Sequence, residues 1–150
     1  MTTVRLVDLP LLDVSVPERA RFREAAETLA NAGIAALAVV RDDRTVVGLF
    51  TDDDFLRGVF PAYVEELHHT AFVRAQDEEL WLRLEEVAGR PVTQFAREPL
   101  TVELESGALH VAQRFLHCPW GAVAVVDRGR FVGMLRQVDI VRGLLRIVWP

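Results

Sequence analysis

The sequence predicts a mixed α/β (α+β) chain in which one β-α-β-β-α unit is written twice around a helical insert. Three observations carry this reading. The stretch Gly48-Leu49-Phe50-Thr51-Asp52-Asp53-Asp54 returns in outline as Gly133-Met134-Leu135-Arg136-Gln137-Val138-Asp139. The apolar run Ala35-Ala36-Leu37-Ala38-Val39-Val40 is answered by Gly121-Ala122-Val123-Ala124-Val125-Val126. The apolar runs lie 86 positions apart and the following Val46-Val47-Gly48 and Phe131-Val132-Gly133 lie 85 apart, so one residue is lost in the turn between them. Loops absorb such a change at little cost. The units are bounded as residues 1–61 and 91–150, with the insert at 62–90.

Each element has a local reason. Val4 to Val7 is a short apolar segment closed by Asp8 and Pro10, a single helical turn or a strand start. Leu11 to Val16 alternates as a short strand and stops at Pro17. From about Arg21 to Asn31, Phe22, Ala25, Ala26 and Leu29 recur at helical spacing, and Gly33 stands where a left-handed C-terminal cap belongs. Residues 34–40 form a continuous apolar run, the mark of a strand covered on both faces. A polar turn, Arg41 to Arg44, leads to a pairing strand from Thr45 to Phe50, and Thr51 opens the next helix.

In the insert, Phe60-Pro61 interrupts that helix, and Ala62 to Val73 is a further helical candidate. Asp77-Glu78-Glu79 is expected to start another helix, its acidic first turn favoured by the helix dipole, with Leu80, Leu84 and Val87 on one face. Gly89 and Pro91 end it. The second unit opens at Val92 to Phe95 and continues with a strand at Leu100-Thr101-Val102. A helix from about Ser106 to His117 presents Leu109, Ala112, Phe115 and Leu116. Ala122 to Val126 and Phe131 to Leu135 are strands joined by a tight turn in which Gly129 takes positive φ. A last helix runs through Ile140, Val141, Leu144, Leu145 and Val148.

Composition narrows the function. A chain of 150 residues that is 51% hydrophobic is not disordered, and this length buries roughly 70% of its unfolded surface, enough to fold without staples. The longest apolar run, Ile34 to Val40, is too short to span a bilayer, and the N-terminus has no charged-then-apolar leader pattern. One cysteine, Cys118, permits no internal disulfide and fits a reducing, cytoplasmic setting. A net charge of −5 argues against nucleic acid as a partner. All 17 basic residues are arginine, which reads as genome composition. No nucleophile motif surrounds Ser15 or Ser106. His68-His69 and His117-Cys118 are adjacent side chains that diverge on a helix, and no metal-ligand partner sits four residues after them. The sequence therefore offers no catalytic residue, no catalytic cofactor and no metal site.

The order of elements, the hairpin Val125-Val126-Asp127-Arg128-Gly129-Arg130-Phe131-Val132-Gly133 and the signature from Gly48 to Asp54 resemble cystathionine-β-synthase-type (CBS) domains, which occur in tandem as Bateman modules. The likeness covers about 60 residues at each end and leaves the insert outside. The second copy departs where Arg136 stands in place of the usual Thr or Ser, and both copies carry Ala (Ala38, Ala124) where the family commonly has Pro. The resemblance implies pseudo-two-fold symmetry and a cleft on each side of the shared sheet interface. In the family such clefts take AMP, ADP, ATP or S-adenosylmethionine. Carried over, Asp54 and Asp139 become candidates for the ribose hydroxyls and Thr51 for phosphate. Ser15-Val16 with Ala35-Ala36, or Thr101-Val102 with Gly121-Ala122, would flank adenine. The chemistry agrees, since a carboxylate can accept both hydroxyls of a cis-diol and helix N-termini favour anions.

The same residues have a structural reading, because Thr51-x-x-Asp54 is also a capping box. Arg136, a poor N-cap, can meet a ligand phosphate or turn onto Asp139 three residues on, at helical contact distance. The second outcome is favoured, which predicts one nucleotide site built on Thr51 and Asp54 and a second closed by an internal ion pair. The function expected is a non-catalytic adenosine-ligand sensor, a homodimer acting on a separate effector protein. The alternative is a structural or oligomerisation module whose clefts are empty or filled by side chains.

Overall fold

The computed structural model describes residues 4–60 and 73–150, with the backbone alone at 73–77. Two three-stranded sheets carry the two halves. In the first, β1 (Ser15–Pro17) pairs parallel with β2 (Ala36–Val40), which pairs antiparallel with β3 (Val46–Thr51). In the second, β4 (Thr101–Glu103), β5 (Ala122–Asp127) and β6 (Arg130–Arg136) repeat that order and those directions. The register breaks at the same place in both, between Val39 and Val40 and between Val125 and Val126. The lost residue of the repeat falls in the hairpin that follows, where Val40 pairs with Val46 but Val126 with Phe131.

Helix α1 (Phe22–Ala32) joins β1 to β2 and ends on Gly33 at φ 63°, in the left-handed region. Helix α2 (Asp52–Val59) follows β3 directly, and α3 (Val73–Ala88) packs across α1 and α2. In the second half α4 (Ala108–Leu116) joins β4 to β5, and α5 (Gln137–Val148) follows β6. Single 3-10 turns, Leu6–Asp8 and Val92–Gln94, precede the two halves at matching positions. Among the described residues no helix is long and apolar enough to cross a membrane.

The central strands β2 and β5 are buried along their apolar lengths, as continuous apolar runs require, because helices cover one face and the other sheet lies against the other. One core cluster centres on Phe22, which meets Phe50 edge-on at 5.6 Å and stacks on Phe55 at 5.4 Å. It runs through to Ala122, Ala124 and Met134 of the second half. A second cluster lies under α4 and α5, around Leu6, Val111, Phe115 and Leu135.

Backbone cross-connections among the described residues lock the halves. Leu12 exchanges both backbone hydrogen bonds with Met134 (2.9 and 2.7 Å), and Arg97 does the same with Leu49 (3.0 and 2.9 Å). At the hairpin ends Phe131 N–H donates to the Arg44 carbonyl at 2.8 Å, with the Arg44 guanidinium over the Phe131 ring. The signature glycines are explained here. A Cβ on Gly48 would sit 3.1 Å from Ala96 Cβ, and one on Gly133 2.9 Å from Leu11 Cβ, so each admits the crossing segment from the other half.

Several sequence expectations shift. Helix α3 is already formed at Val73, ahead of Asp77, so Asp77-Glu78-Glu79 lie inside it and not in its first turn. Leu80 and Leu84 are half-buried and Val87 fully buried, as the spacing predicts, while Trp81 and Leu82 are exposed. The stripe on α4 is Ala108, Val111 and Phe115; Leu109 and Leu116 point to solvent. Both stripes have helical spacing, and the sheet beneath, not periodicity, selects between them. Most of the helical candidate Ala62 to Val73, with Phe72, lies outside the described residues.

Candidate functional site

The candidate residues gather where β3 runs into α2 and where β6 runs into α5. Thr51 is extended (φ −111°, ψ 163°) and caps α2. Its N–H donates to Asp54 Oδ2 at 3.0 Å, and Asp54 N–H donates back to Thr51 Oγ1 at 3.0 Å. This is the capping box in full, and both residues are buried. Ala36 lies across the ladder from Thr51, and the Ala35 carbonyl accepts from Asp52 N–H at 2.9 Å. Ser15 and buried Val16 lie one strand further, opposite Ala38 and Val39. In the second half Ala122 faces Arg136, the Gly121 carbonyl accepts from Gln137 N–H at 2.9 Å, and Thr101 with buried Val102 lies opposite Ala124 and Val125.

Asp139 is held as its spacing predicts, and more firmly. Arg136 Nε donates to Oδ2 at 2.7 Å and Nη2 to Oδ1 at 3.2 Å. Arg142, which no sequence motif singles out, donates Nη1 to Oδ1 at 3.0 Å from one helical turn further along. The Asp139 side chain is 1% exposed, so these two guanidinium groups stand in for water around its carboxylate. Arg136 makes no side-chain cap, so α5 begins without the reciprocal bonds that close α2.

The first half departs from the expected asymmetry. Asp54 also carries an arginine, and it comes from 43 positions away. Arg97 Nε donates to Oδ2 at 3.0 Å while Nη2 donates to Oδ1, a two-pronged contact with both carboxylate oxygens. Asp53 stands 3.5 Å from the same guanidinium, whose central carbon lies 4.6 Å from the Trp120 ring centre. The hydrogen bond to Asp54 raises the Arg97 pKa further, so the group stays charged. Arg57, bonded to Asp53 at 2.7 Å, holds that carboxyl below its usual range. The Trp120 indole N–H is buried with no acceptor among the described residues.

The two halves reach the same result by different routes. Thr51 corresponds to Arg136 and Asp54 to Asp139, each pair 85 positions apart, and Leu12 takes the place of Arg97 by its backbone pairing, with Met134 where Arg97 pairs with its counterpart Leu49. Where the N-cap is threonine, the crossing segment supplies the guanidinium; where the crossing residue is leucine, the N-cap supplies it. The sequence gives Arg97 no mark of its own, since the 86-position spacing sets it opposite Leu11 and only the backbone pairing sets it opposite Leu12.

Two concavities lie nearby. One of about 340 Å³ at the edge of β3 has Arg97 and Gly48 in its wall. A larger apolar groove of about 700 Å³ runs between α1, the start of α2 and α3, on the outer helical face and away from both carboxylates.

Similarity to known proteins agrees with this architecture. The chain superposes on the CBS-pair protein CBSX2 of Arabidopsis thaliana with a TM-score of 0.77, at 22% identity over 99% of both chains. A structure described as CBSX2 in complex with AMP gives 0.61 at 22% identity, covering 97% of this chain and 94% of that one. A CBS domain protein of Pyrobaculum aerophilum complexed with AMP gives 0.69 at 23% identity, covering 98% of this chain and all of that one. At such identities the likeness establishes the fold. No curated protein matches the sequence significantly. The family model of the CBS domain matches twice, at residues 8–60 and 92–146, together more than half of the chain. With the doubled sheet, the crossed segments and the paired helix-start carboxylates, this places the chain in the CBS domain family as a tandem pair.

Proposed function

We propose that this CBS pair is a non-catalytic regulatory module that takes an adenosine-containing ligand at Asp54 and signals its occupancy to a separate polypeptide. The observation that carries the reading is the pair of carboxylates at matched helix starts, in a fold whose relatives include two described as complexes with AMP. A carboxylate there can accept a ribose diol, and the first turn of α2 favours an anion beside it. AMP or S-adenosylmethionine fits better than magnesium-free ATP, because Asp52 and Asp53 add negative charge at the same helix end.

Calorimetry on the purified chain tests this. Wild type binds one AMP per chain, Asp54→Ala abolishes binding and Asp139→Ala leaves it nearly unchanged. Two sites per chain, or loss of binding in Asp139→Ala, would refute the one-site assignment.

A second reading has its own support. Both carboxylates are already paired with arginine, as in a structural module whose clefts are filled by side chains. It requires that no adenosine ligand bind at any concentration reached by calorimetry. Either reading accommodates a homodimer, for which exposed Leu56 on α2 and Val141 and Leu145 on α5 supply unpartnered apolar surface among the described residues.

A further inference from the structure

The guanidinium of Arg97 makes the two kinds of contact that an adenosine ligand would need at Asp54. It engages both carboxylate oxygens, as a cis-diol would, and lies over the Trp120 ring, as a purine would. Its tether is backbone-fixed by the pairing of Arg97 with Leu49, but the side chain itself is 27% exposed and so in contact with solvent. The second half has no such element, since Leu12 stands in the corresponding place and the arginines on Asp139 come from its own helix and N-cap.

We infer that Arg97 is an exchangeable occupant of the first cleft, and that it sets ligand specificity there. This rests on the nucleotide reading above and adds the residue that selects the ligand. Ribose takes Asp54 only as the guanidinium leaves it. A neutral nucleoside strands that cation beside Asp53 alone. A nucleotide phosphate re-pairs it bidentately, which a planar five-donor group does well. The cleft therefore selects for a phosphate that it never needs for the ribose contact, and AMP outcompetes adenosine by way of Arg97. Asp139 offers no equivalent exchange, because removing one arginine leaves the other in place.

The test compares AMP with adenosine by calorimetry on wild type, Arg97→Gln and Arg97→Met. Wild type binds AMP more than about tenfold more tightly than adenosine. In both variants the gap closes to within about threefold, mainly because adenosine gains, with no carboxylate partner left to displace. A gap unchanged in the variants, or equal weakening of both ligands, overturns the exchange while leaving the nucleotide reading intact. Binding of neither ligand to wild type or variants refutes the nucleotide reading and the exchange with it. A second measurement needs no change at Arg97. In Trp81→Phe/Trp149→Phe, which alters two exposed residues and leaves Trp120 the single indole, saturation with AMP shifts Trp120 emission as the guanidinium leaves its face. AMP binding without that shift overturns the exchange.

Discussion

Replacing Asp54 separates its structural duties from its ligand duty. In Asp54→Ala the buried Thr51 N–H loses its acceptor, at about 1–3 kcal/mol for an unsatisfied buried donor. The Arg97 guanidinium loses its two-pronged partner and keeps only Asp53 at 3.5 Å. Stranding a fully buried charge costs about 3–5 kcal/mol, but Arg97 can rehydrate through its exposed quarter, so about 1–2 kcal/mol is the reasonable share. Asp54→Ala should therefore lose about 2–5 kcal/mol in total. Asp54→Asn keeps one acceptor for Thr51 and loses mainly the charge, so about 1–2 kcal/mol is expected. Urea unfolding followed by circular dichroism reads both values from midpoints at constant slope. Equal losses in the two variants would show that the capping bond contributes nothing. A loss below about 0.5 kcal/mol in Asp54→Ala would refute the whole account of this site.

Other consequences follow from single contacts. Gly133→Ala places a Cβ 2.9 Å from Leu11 Cβ, against a segment pinned by the Leu12–Met134 bonds, and should cost about 1–3 kcal/mol by overpacking. Gly48→Ala, at 3.1 Å, should cost less in the same urea assay. Asp53 has a folded pKa depressed by Arg57, so its contribution is present above the unfolded value of about 3.9 and is lost as pH falls through the folded one. Wild type and Asp53→Asn should therefore differ in urea midpoint at neutral pH and converge below about pH 4; a constant difference would exclude this pairing as the cause. Leu145→Arg should shift a dimer toward monomer in sedimentation velocity if α5 forms the proposed subunit contact, and an unchanged sedimentation coefficient assigns that contact elsewhere.

Local chemistry makes much of this protein legible in its sequence. The duplicated unit, the doubly covered strands at 36–40 and 122–126, the Gly33 cap and the Thr51–Asp54 box all depend on neighbours within a few positions. So does the Arg136–Asp139 pair, whose three-residue spacing brings the groups together on one helical turn. The α4 stripe escapes periodicity for the complementary reason, because two stripes of equal spacing compete and only the sheet beneath chooses. The partner of Asp54 is out of reach of local rules altogether. Arg97 arrives because its segment crosses β3 at Gly48, where the missing Cβ leaves room, and because Leu49 fixes its register through paired backbone bonds. No periodicity encodes that crossing, since backbone pairing between distant segments carries almost no side-chain signature. The sequence by itself determined that each half ends in a helix-start carboxylate. Only the tertiary structure decided which arginine each carboxylate holds, because that choice depends on the segment the other half lays across it.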